Sequence, residues 1–143
     1  MKTMVIGASK GLGRALMEGL GNSGDTLIGV SRSRPHEGQS LPGVSQQWIE
    51  ADLGHPLKAA ELLGHCAAES GLDTLIYNLG IWEDAAFDEH YDFLADRDEQ
   101  LQRIVDCNVT APILLIRHLL PVLLQSPTPR IILTGSTSGL PQS

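Results

Sequence analysis

Three glycines near the start of the chain have the spacing of a phosphate-binding turn. Gly7, Gly11 and Gly13 follow an apolar run and precede a helix-forming one. Without side chains the backbone can turn tightly and approach an anion, and the free N–H groups of the next helix point at its charge. The spacing Gly-x-x-x-Gly-x-Gly is neither the common dinucleotide fingerprint nor a P-loop. An ordinary glycine-rich loop is the alternative interpretation.

The elements that must position this turn alternate between apolar strands and helical segments. This order, without hairpin turns, predicts an α/β fold with a doubly wound parallel sheet of the Rossmann type, in one domain over residues 1–143. The mixed polarity of the third strand indicates an edge position. Strands are predicted over Thr3–Ile6, Thr26–Ser31, Val44–Glu50, Leu72–Tyr77 and Arg130–Leu133, and helices over Leu12–Leu20, Pro56–Ser70 and residues 97–124.

Polar or glycine-rich residues follow every predicted strand. In sheets of this kind, ligands bind beyond the C-terminal ends of the strands. Five such turns therefore predict a nucleotide cleft at that edge of the sheet. After the glycines of the first turn, the others are Ser31-Arg32, Asp52-Leu53, Asn78-Leu79-Gly80 and the run from Thr134 to Gly139.

Composition and charge exclude several classes of protein. The chain of 143 residues is 42% hydrophobic, which is enough for a core, and its net charge of −7 argues against a nucleic-acid surface. We see no apolar run of membrane-spanning length and no charged leader, so we expect a cytoplasmic protein. Two cysteines and five histidines without ligand spacing predict no disulfide framework and no metal site.

Taken together, these motifs resemble the short-chain dehydrogenase/reductase family over essentially the whole chain. The family implies an NAD(P)-dependent oxidoreductase that transfers hydride between nicotinamide and a small carbonyl or alcohol substrate. Three positions depart from its pattern, with Ile6 for threonine, Leu79 for alanine and Gly135 for serine. The resemblance rests on the glycine turn, Asp52-Leu53, Asn78-Leu79-Gly80, Asn108-Val109 and Ser136.

The resemblance implies a role for each matching residue. Asp52 and Leu53 would contact adenine, Asn108 would be the structural and catalytic asparagine, and Ser136 would polarise the substrate carbonyl. Ser138 is the alternative serine, although the strand-end spacing favours Ser136. The expected catalytic residues are Asn108 and Ser136, and the expected cofactor-binding residues are Gly7, Ser9, Lys10, Gly11, Leu12, Gly13, Arg32, Asp52, Leu53, Asn78 and Gly80.

A cation after the second strand favours NADP over NAD. Arg32 stands 19 residues after Gly13, where a carboxylate would bind the ribose 2′-hydroxyl of NAD and a cation would bind the 2′-phosphate of NADP. Lys10 in the turn can reach the same phosphate, and Arg34 is a further candidate. The alternative is that Arg32 and Arg34 are solvated loop charges.

The general acid of the resembling family does not occur in the sequence. That acid is a tyrosine in a Tyr-x-x-x-Lys motif, where the lysine lowers the pKa of the phenol. Neither Tyr77 nor Tyr91 has a lysine four residues on, and only seven residues follow Ser136. We therefore expect a chain that is truncated before this motif and inactive alone. The rival hypothesis is a non-catalytic dinucleotide-binding or regulatory module.

The segment 97–124 predicts two further features. Pro112 cannot donate a hydrogen bond to the carbonyl of Asn108, so the helix should kink there and free that carbonyl for water. The alternative is that Pro112 kinks the helix only so that it packs well against its neighbours. An apolar face suits a homodimer or homotetramer, although core packing gives the same pattern. That face comprises Val105, Val109, Ile113, Ile116 and Leu120.

Three other features of the sequence concern the charged surface, the cleft and the core. Four aspartates at four-residue spacing predict one solvated helical face, because calcium loops need closer alternation and a central glycine. Trp82 either lines the cleft or caps the core. Cys107 is predicted to be a small buried apolar residue, since no activating cation or histidine is placed beside it. The aspartates are Asp84, Asp88, Asp92 and Asp96.

Overall fold

Five parallel strands form the central sheet, in the spatial order β3-β2-β1-β4-β5. The structure is a computed structural model, and it describes residues 1–35 and 40–136. The order reverses between β1 and β4, which is the switch point where α/β sheets bind ligands. This topology confirms the predicted doubly wound fold class. The strands are β1 Lys2–Ile6, β2 Thr26–Ser31, β3 Ser45–Glu50, β4 Thr74–Tyr77 and β5 Arg130–Leu133.

Helices cover both faces of the sheet. Side chains alternate along β1, so that Met4 and Ile6 pack with the core on the α2 and α4 side, whereas Val5 packs with Met17 of α1 on the other side. Helices α2 and α4 pack against each other. The helices are α1 Gly11–Gly19, α2 Pro56–Ser70, α3 Asp98–Val105 and α4 Ala111–Leu123.

The bounds of α2 follow from its terminal residues, as predicted. Pro56 occupies the first turn, where its missing N–H has no intrahelical partner to lose. Gly71 follows the last turn at a φ of +76°, a conformation that glycine adopts without steric cost. The observed bounds of α2, β2 and β5 are the predicted ones. The first helix begins one residue earlier than predicted, and β4 begins two residues later.

The edge position predicted for the third strand is confirmed, since β3 pairs only with β2 among the described strands. Trp48 of β3 lies opposite Gly29 of β2 in the register. A Cβ at Gly29 would lie 2.7 Å from the indole ring. Glycine at this position therefore allows the ring to pack over the neighbouring strand.

A π-helical turn divides the segment 97–124, which was predicted as one continuous helix. The turn spans Asp106–Thr110, and the N–H of Ala111 bonds to the carbonyl of Asp106 five residues earlier. The interruption lies where Pro112 was predicted to disturb the helix, because proline cannot continue the i to i−4 ladder. The turn also receives a buried hydrogen bond, donated by the Tyr77 hydroxyl to the carbonyl of Cys107.

The aspartates predicted to share one helical face do not lie on a regular helix. Their segment consists of turns and a short 3₁₀ helix, Phe93–Ala95. The carboxylate of Asp92 accepts a hydrogen bond from the N–H of Leu94, and that of Asp88 accepts one from the N–H of His90. Such local side-chain bonds compete with helix formation, which accounts for the difference.

The residues Asp98–Leu123 form one helical segment of 26 residues that is long and apolar enough to cross a membrane by length and composition alone. This finding differs from the expectation that no segment reaches that length. In the fold, one side of the segment is buried against α2. Ile116, predicted on the oligomer face, packs partly against the core. The buried residues on this side are Cys107, Ala111, Leu115, Leu119 and Leu123.

The hydrogen bond from Tyr77 to the π-helical turn can be tested with a matched pair of variants. Tyr77→Phe should lower the free energy of unfolding by about 1–3 kcal/mol, because the buried carbonyl of Cys107 loses its donor while the ring packing stays. Tyr91→Phe removes an exposed bond to Asp96 and should leave stability unchanged. Urea denaturation of the chain measures both, and equal effects would contradict this role of Tyr77.

Candidate functional site

The glycine turn brings the start of α1 against the end of β1. Gly7 and Gly11 have φ values of +81° and +57°, which L side chains rarely adopt. A Cβ at Gly13 would lie 2.0 Å from the carbonyl oxygen of Gly7. The turn therefore requires glycine at the first two positions for conformation and at the third for close approach.

The start of α1 has backbone donors that precede its first helical hydrogen bond. The N–H of Arg14 makes the first helical bond, to the carbonyl of Lys10 at 3.3 Å. The side chain of Lys10 makes no capping hydrogen bond. The N–H groups of Gly11, Leu12 and Gly13 precede that first bond, and helix geometry leaves such groups available to an anion. The start of α1 therefore has unpaired backbone donors of the kind that the predicted phosphate cradle needs, and its role in binding stays a prediction.

A cavity of about 420 Å³ lies beside this turn, at the carboxyl ends of β1 to β4. Seven of the residues expected to bind cofactor line it. The cavity reaches the start of α1 at Lys10, the residue that precedes that helix. Those seven are Gly7, Ser9, Lys10, Arg32, Asp52, Leu53 and Gly80, and the lining also includes Leu79, Ile81, Trp82, Asp84 and Arg103.

The remaining expected cofactor residues lie next to the cavity. Gly11, Leu12 and Gly13 form the first turn of α1. Asn78 directly follows β4, and its N–H donates to the carbonyl of Ile6 at 3.0 Å. Asn78 thus joins the end of β4 to the end of β1.

Two cations in the cavity wall are available to a ligand. Lys10 and Arg32 are exposed, and neither forms an ion pair with any described residue. Arg14, by contrast, lies 2.7 Å from the carboxylate of Glu18. Arg34 is not part of the cavity wall among the described residues. Among the described residues of the cavity wall, the positive charges without an ion-pair partner are therefore those of Lys10 and Arg32.

Asp52 is held in an ion pair with Arg103, a residue that the sequence analysis did not identify. A guanidinium nitrogen of Arg103 lies 2.9 Å from Oδ1 of Asp52, and the N–H of Gly54 donates to the same oxygen at 2.9 Å. Burial alone would raise the pKa of Asp52, but these two donors outweigh it and lower the pKa. The carboxylate is therefore ionised and accepts hydrogen bonds only.

Asn108 is paired with the turn after β4. Its Oδ1 accepts the N–H of Ile81 at 3.0 Å, and its Nδ2 donates to the carbonyl of Ile81 at 2.8 Å. This two-bond contact ties the π-helical turn to a wall of the cavity. The motif indicated Asn108, but nothing in the sequence indicated Ile81 as its partner.

Ser136 follows β5 and is not among the described residues that line the cavity. The N–H of Thr134 donates to the carbonyl of Tyr77 at 3.0 Å, so β5 ends beside β4 at the carboxyl edge of the sheet. Ser136 is exposed there. Its catalytic role stays a prediction, and the alternative Ser138 lies outside the described residues.

The structure also shows where Trp82 and Cys107 lie. Trp82 lines the cavity, with its ring 6.0 Å from that of Phe87 in an edge-to-face contact. Of the two alternatives given for Trp82, lining the cleft or capping the core, the structure therefore shows the first. Burial raises the pKa of the Cys107 thiol, as expected of an apolar core residue. In residues 1–35 and 40–136 no cluster of three potential metal-ligating side chains occurs.

The short chain dehydrogenase family model matches residues 2–143. The chain belongs to the short-chain dehydrogenase family. Members of this family are NAD(P)-dependent oxidoreductases that act on small molecules. The predicted family is thereby confirmed.

Several family members resemble the chain over most of its length. The 3-oxoacyl-[acyl-carrier-protein] reductase FabG of Escherichia coli K12 is 27% identical over 95% of this chain and 54% of its own length. The NADPH-dependent pterin aldehyde reductase of Arabidopsis thaliana is 25% identical over 95% of this chain and 55% of its own. This short-chain dehydrogenase chain thus spans about half the length of these relatives.

A solved structure shows the same fold. The ligand-free aldohexose dehydrogenase of Thermoplasma acidophilum superposes with a TM-score of 0.74 and 25% identity, over 94% of this chain and 49% of that one. The match places the sheet and helices of this short-chain dehydrogenase in the arrangement shared by the family.

The contact between Gly13 and Gly7 can be tested by adding a methyl group. Gly13→Ala should cost about 2 kcal/mol or more of stability and displace α1, because its Cβ would collide with a backbone oxygen. Gly19→Ala, in the same helix, meets no atom within 4 Å and should be neutral or stabilising. Urea denaturation checks both variants. A neutral Gly13→Ala would disprove the close approach.

Proposed function

We propose that this short-chain dehydrogenase chain forms the cofactor-binding portion of an NADP(H)-dependent oxidoreductase. The observation that carries the proposal is the pair of unpaired cations, Lys10 and Arg32, in the wall of a cavity that adjoins the free N–H groups of α1. The N–H groups would hold the pyrophosphate, and the cations would hold the 2′-phosphate.

NADP rather than NAD is favoured by the charge at the end of β2. Arg32 follows Ser31 directly at that end, where a carboxylate would be required to bind a ribose 2′-hydroxyl. Charge-assisted bonds to phosphate are among the stronger hydrogen bonds in proteins. The Arabidopsis relative, whose name specifies NADPH, supports the same preference.

The residues of this chain would bind and orient the reactants. When bound, the reduced cofactor would supply hydride for a substrate carbonyl, whose oxygen would take up a proton. Ser136 would donate a hydrogen bond to that oxygen and orient it. Asn108 would keep the wall at Ile81 in place through its two hydrogen bonds. The proton donor would lie outside these 143 residues.

A second candidate function is favoured by one observation. The sequence contains no Tyr-x-x-x-Lys motif, so the chain alone has no phenol activated by a lysine, and we propose that it is inactive alone. A dinucleotide-binding or regulatory module would have the same residues. The mass of the protein from its native source distinguishes the two. A protein much heavier than 15.4 kDa that carries this motif supports the enzyme, and one of 15.4 kDa supports the module.

We also propose that the protein is cytoplasmic and assembles as a homodimer or homotetramer through residues 97–124. The apolar side chains of Val105, Val109 and Ile113 are 50%, 51% and 62% exposed on this segment. Contiguous exposed apolar surface of this kind is typical of protein–protein contacts.

Cofactor preference can be tested by reversing one charge. Arg32→Asp should weaken binding of NADPH by at least about tenfold and change NADH binding little or improve it, because a 2′-phosphate would meet a carboxylate. Arg34→Asp makes the same change of charge outside the described cavity wall and should preserve the preference. Fluorescence titration of both cofactors measures the ratio. An unchanged ratio in Arg32→Asp would refute NADP selection by this residue.

A further inference from the structure

The side chains of Arg103 and Asp52 are hydrogen-bonded in the cavity wall although the residues are 51 positions apart in the chain. Arg103 lies on α3, and Asp52 follows β3. Both line the cavity to which we assign the dinucleotide. The carboxylate at this position is the residue that the family resemblance places against adenine. What Arg103 does to that carboxylate therefore bears on how the base is recognised.

The contacts of Asp52 differ between its two oxygens. Oδ1 accepts from Nη2 of Arg103 at 2.9 Å and from the N–H of Gly54 at 2.9 Å. Oδ2 has only a long contact of 3.4 Å with Nη1 of Arg103. A carboxylate oxygen can accept about two hydrogen bonds. Oδ2 is thus the acceptor that remains open to a ligand.

Gly54 makes room for this arrangement. A Cβ at Gly54 would lie 2.1 Å from Nη1 of Arg103 and 3.2 Å from Oδ1 of Asp52. Its φ lies outside the left-handed region, so alanine is compatible with the backbone at this position. Gly54 is therefore required because the guanidinium of Arg103 approaches it closely, and not because of its backbone conformation.

We propose that Arg103 is a positioning residue that fixes Asp52 so that its open oxygen accepts the 6-amino group of adenine and rejects a 6-oxo purine. The proposal rests on the proposed function and goes beyond it by naming how the base is selected. An amino group donates to the carboxylate, whereas a carbonyl oxygen at the same place would face another acceptor. A site built to hydrogen-bond a ligand group discriminates against the analogue that lacks that group, because the acceptor of the site then loses its partner.

Two features support Arg103 as the residue that sets this geometry. The guanidinium contacts both carboxylate oxygens, closely at Oδ1 (2.9 Å) and more weakly at Oδ2 (3.4 Å), and so restrains the plane of the carboxylate more than a single donor would. The donors around Asp52 also keep it ionised, with its pKa lowered despite partial burial. A protonated carboxyl group could donate to a 6-oxo group and would lose the discrimination.

The test compares binding of NADPH with binding of its analogue in which hypoxanthine replaces adenine. We expect the 143-residue chain to prefer NADPH, and Arg103→Leu to reduce the ratio of the two affinities by about tenfold. Gly54→Ala should reduce the ratio in the same direction, because its methyl group displaces the guanidinium. Isothermal titration calorimetry measures both affinities for each variant.

Two controls match these changes. Arg117→Leu removes the same charge from an exposed position on α4, and Gly19→Ala adds a methyl group where no atom lies within 4 Å. Both should keep the wild-type ratio. If Arg103→Leu does not fold, Gly54→Ala decides the matter alone.

The outcomes separate this inference from the proposed function. If the wild-type chain binds neither dinucleotide, the proposed function fails. If it binds NADPH but both variants lose affinity for the two dinucleotides equally, Arg103 is merely structural and the inference is overturned. Equal binding of the two dinucleotides by the wild-type chain would overturn the inference as well and leave the proposed function standing.

Discussion

Helix α1 begins against the backbone of the turn that precedes it, and this close approach determines the rest of the site. A Cβ at Gly13 would lie 2.0 Å from the carbonyl oxygen of Gly7, and one at Gly7 would lie 3.1 Å from the backbone of Leu79. The helix, the first turn and the turn after β4 therefore touch through bare backbone. Because no side chain separates them, the start of the helix lies beside the cavity, and N–H groups at a helix start are suited to bind an anion.

The opposite wall is held by hydrogen bonds from the helical segment that follows. Asn108 binds both backbone groups of Ile81, and Tyr77 binds the carbonyl of Cys107 in the same π-helical turn. A π-turn shifts the hydrogen-bond register of a helix, which is why such turns frequently occur at functional sites. Backbone and amide contacts thus build the shape of the site, whereas Lys10, Arg32 and Asp52 supply the charges that would distinguish one dinucleotide from another.

Local signals in the sequence predicted most of the fold. Pro56 and Gly71 mark the ends of α2 because each has a conformational effect that depends on no other part of the chain. The same reasoning about Pro112 located the break in the long helix but not its π-helical form. The helical face predicted for the aspartates between residues 84 and 96 was wrong. Four-residue spacing does not reveal that a side chain such as Asp92 accepts a hydrogen bond from a nearby backbone N–H, which competes with helix formation. The pairs Arg103–Asp52 and Asn108–Ile81 could not be predicted, because contacts between distant segments leave no periodic pattern in the sequence.

The start of α1 is the part of the site that we propose to hold the phosphates of a dinucleotide. The most direct test is a titration of the ¹⁵N-labelled chain with NADP⁺, followed by amide chemical shifts. This placement of the phosphates predicts that the largest saturable shifts occur at Gly11, Leu12 and Gly13, with smaller ones at residues 31–32 and 52–54, and none at the exposed end of α4. Saturable binding that leaves the amides of Gly11 to Gly13 unshifted would contradict it.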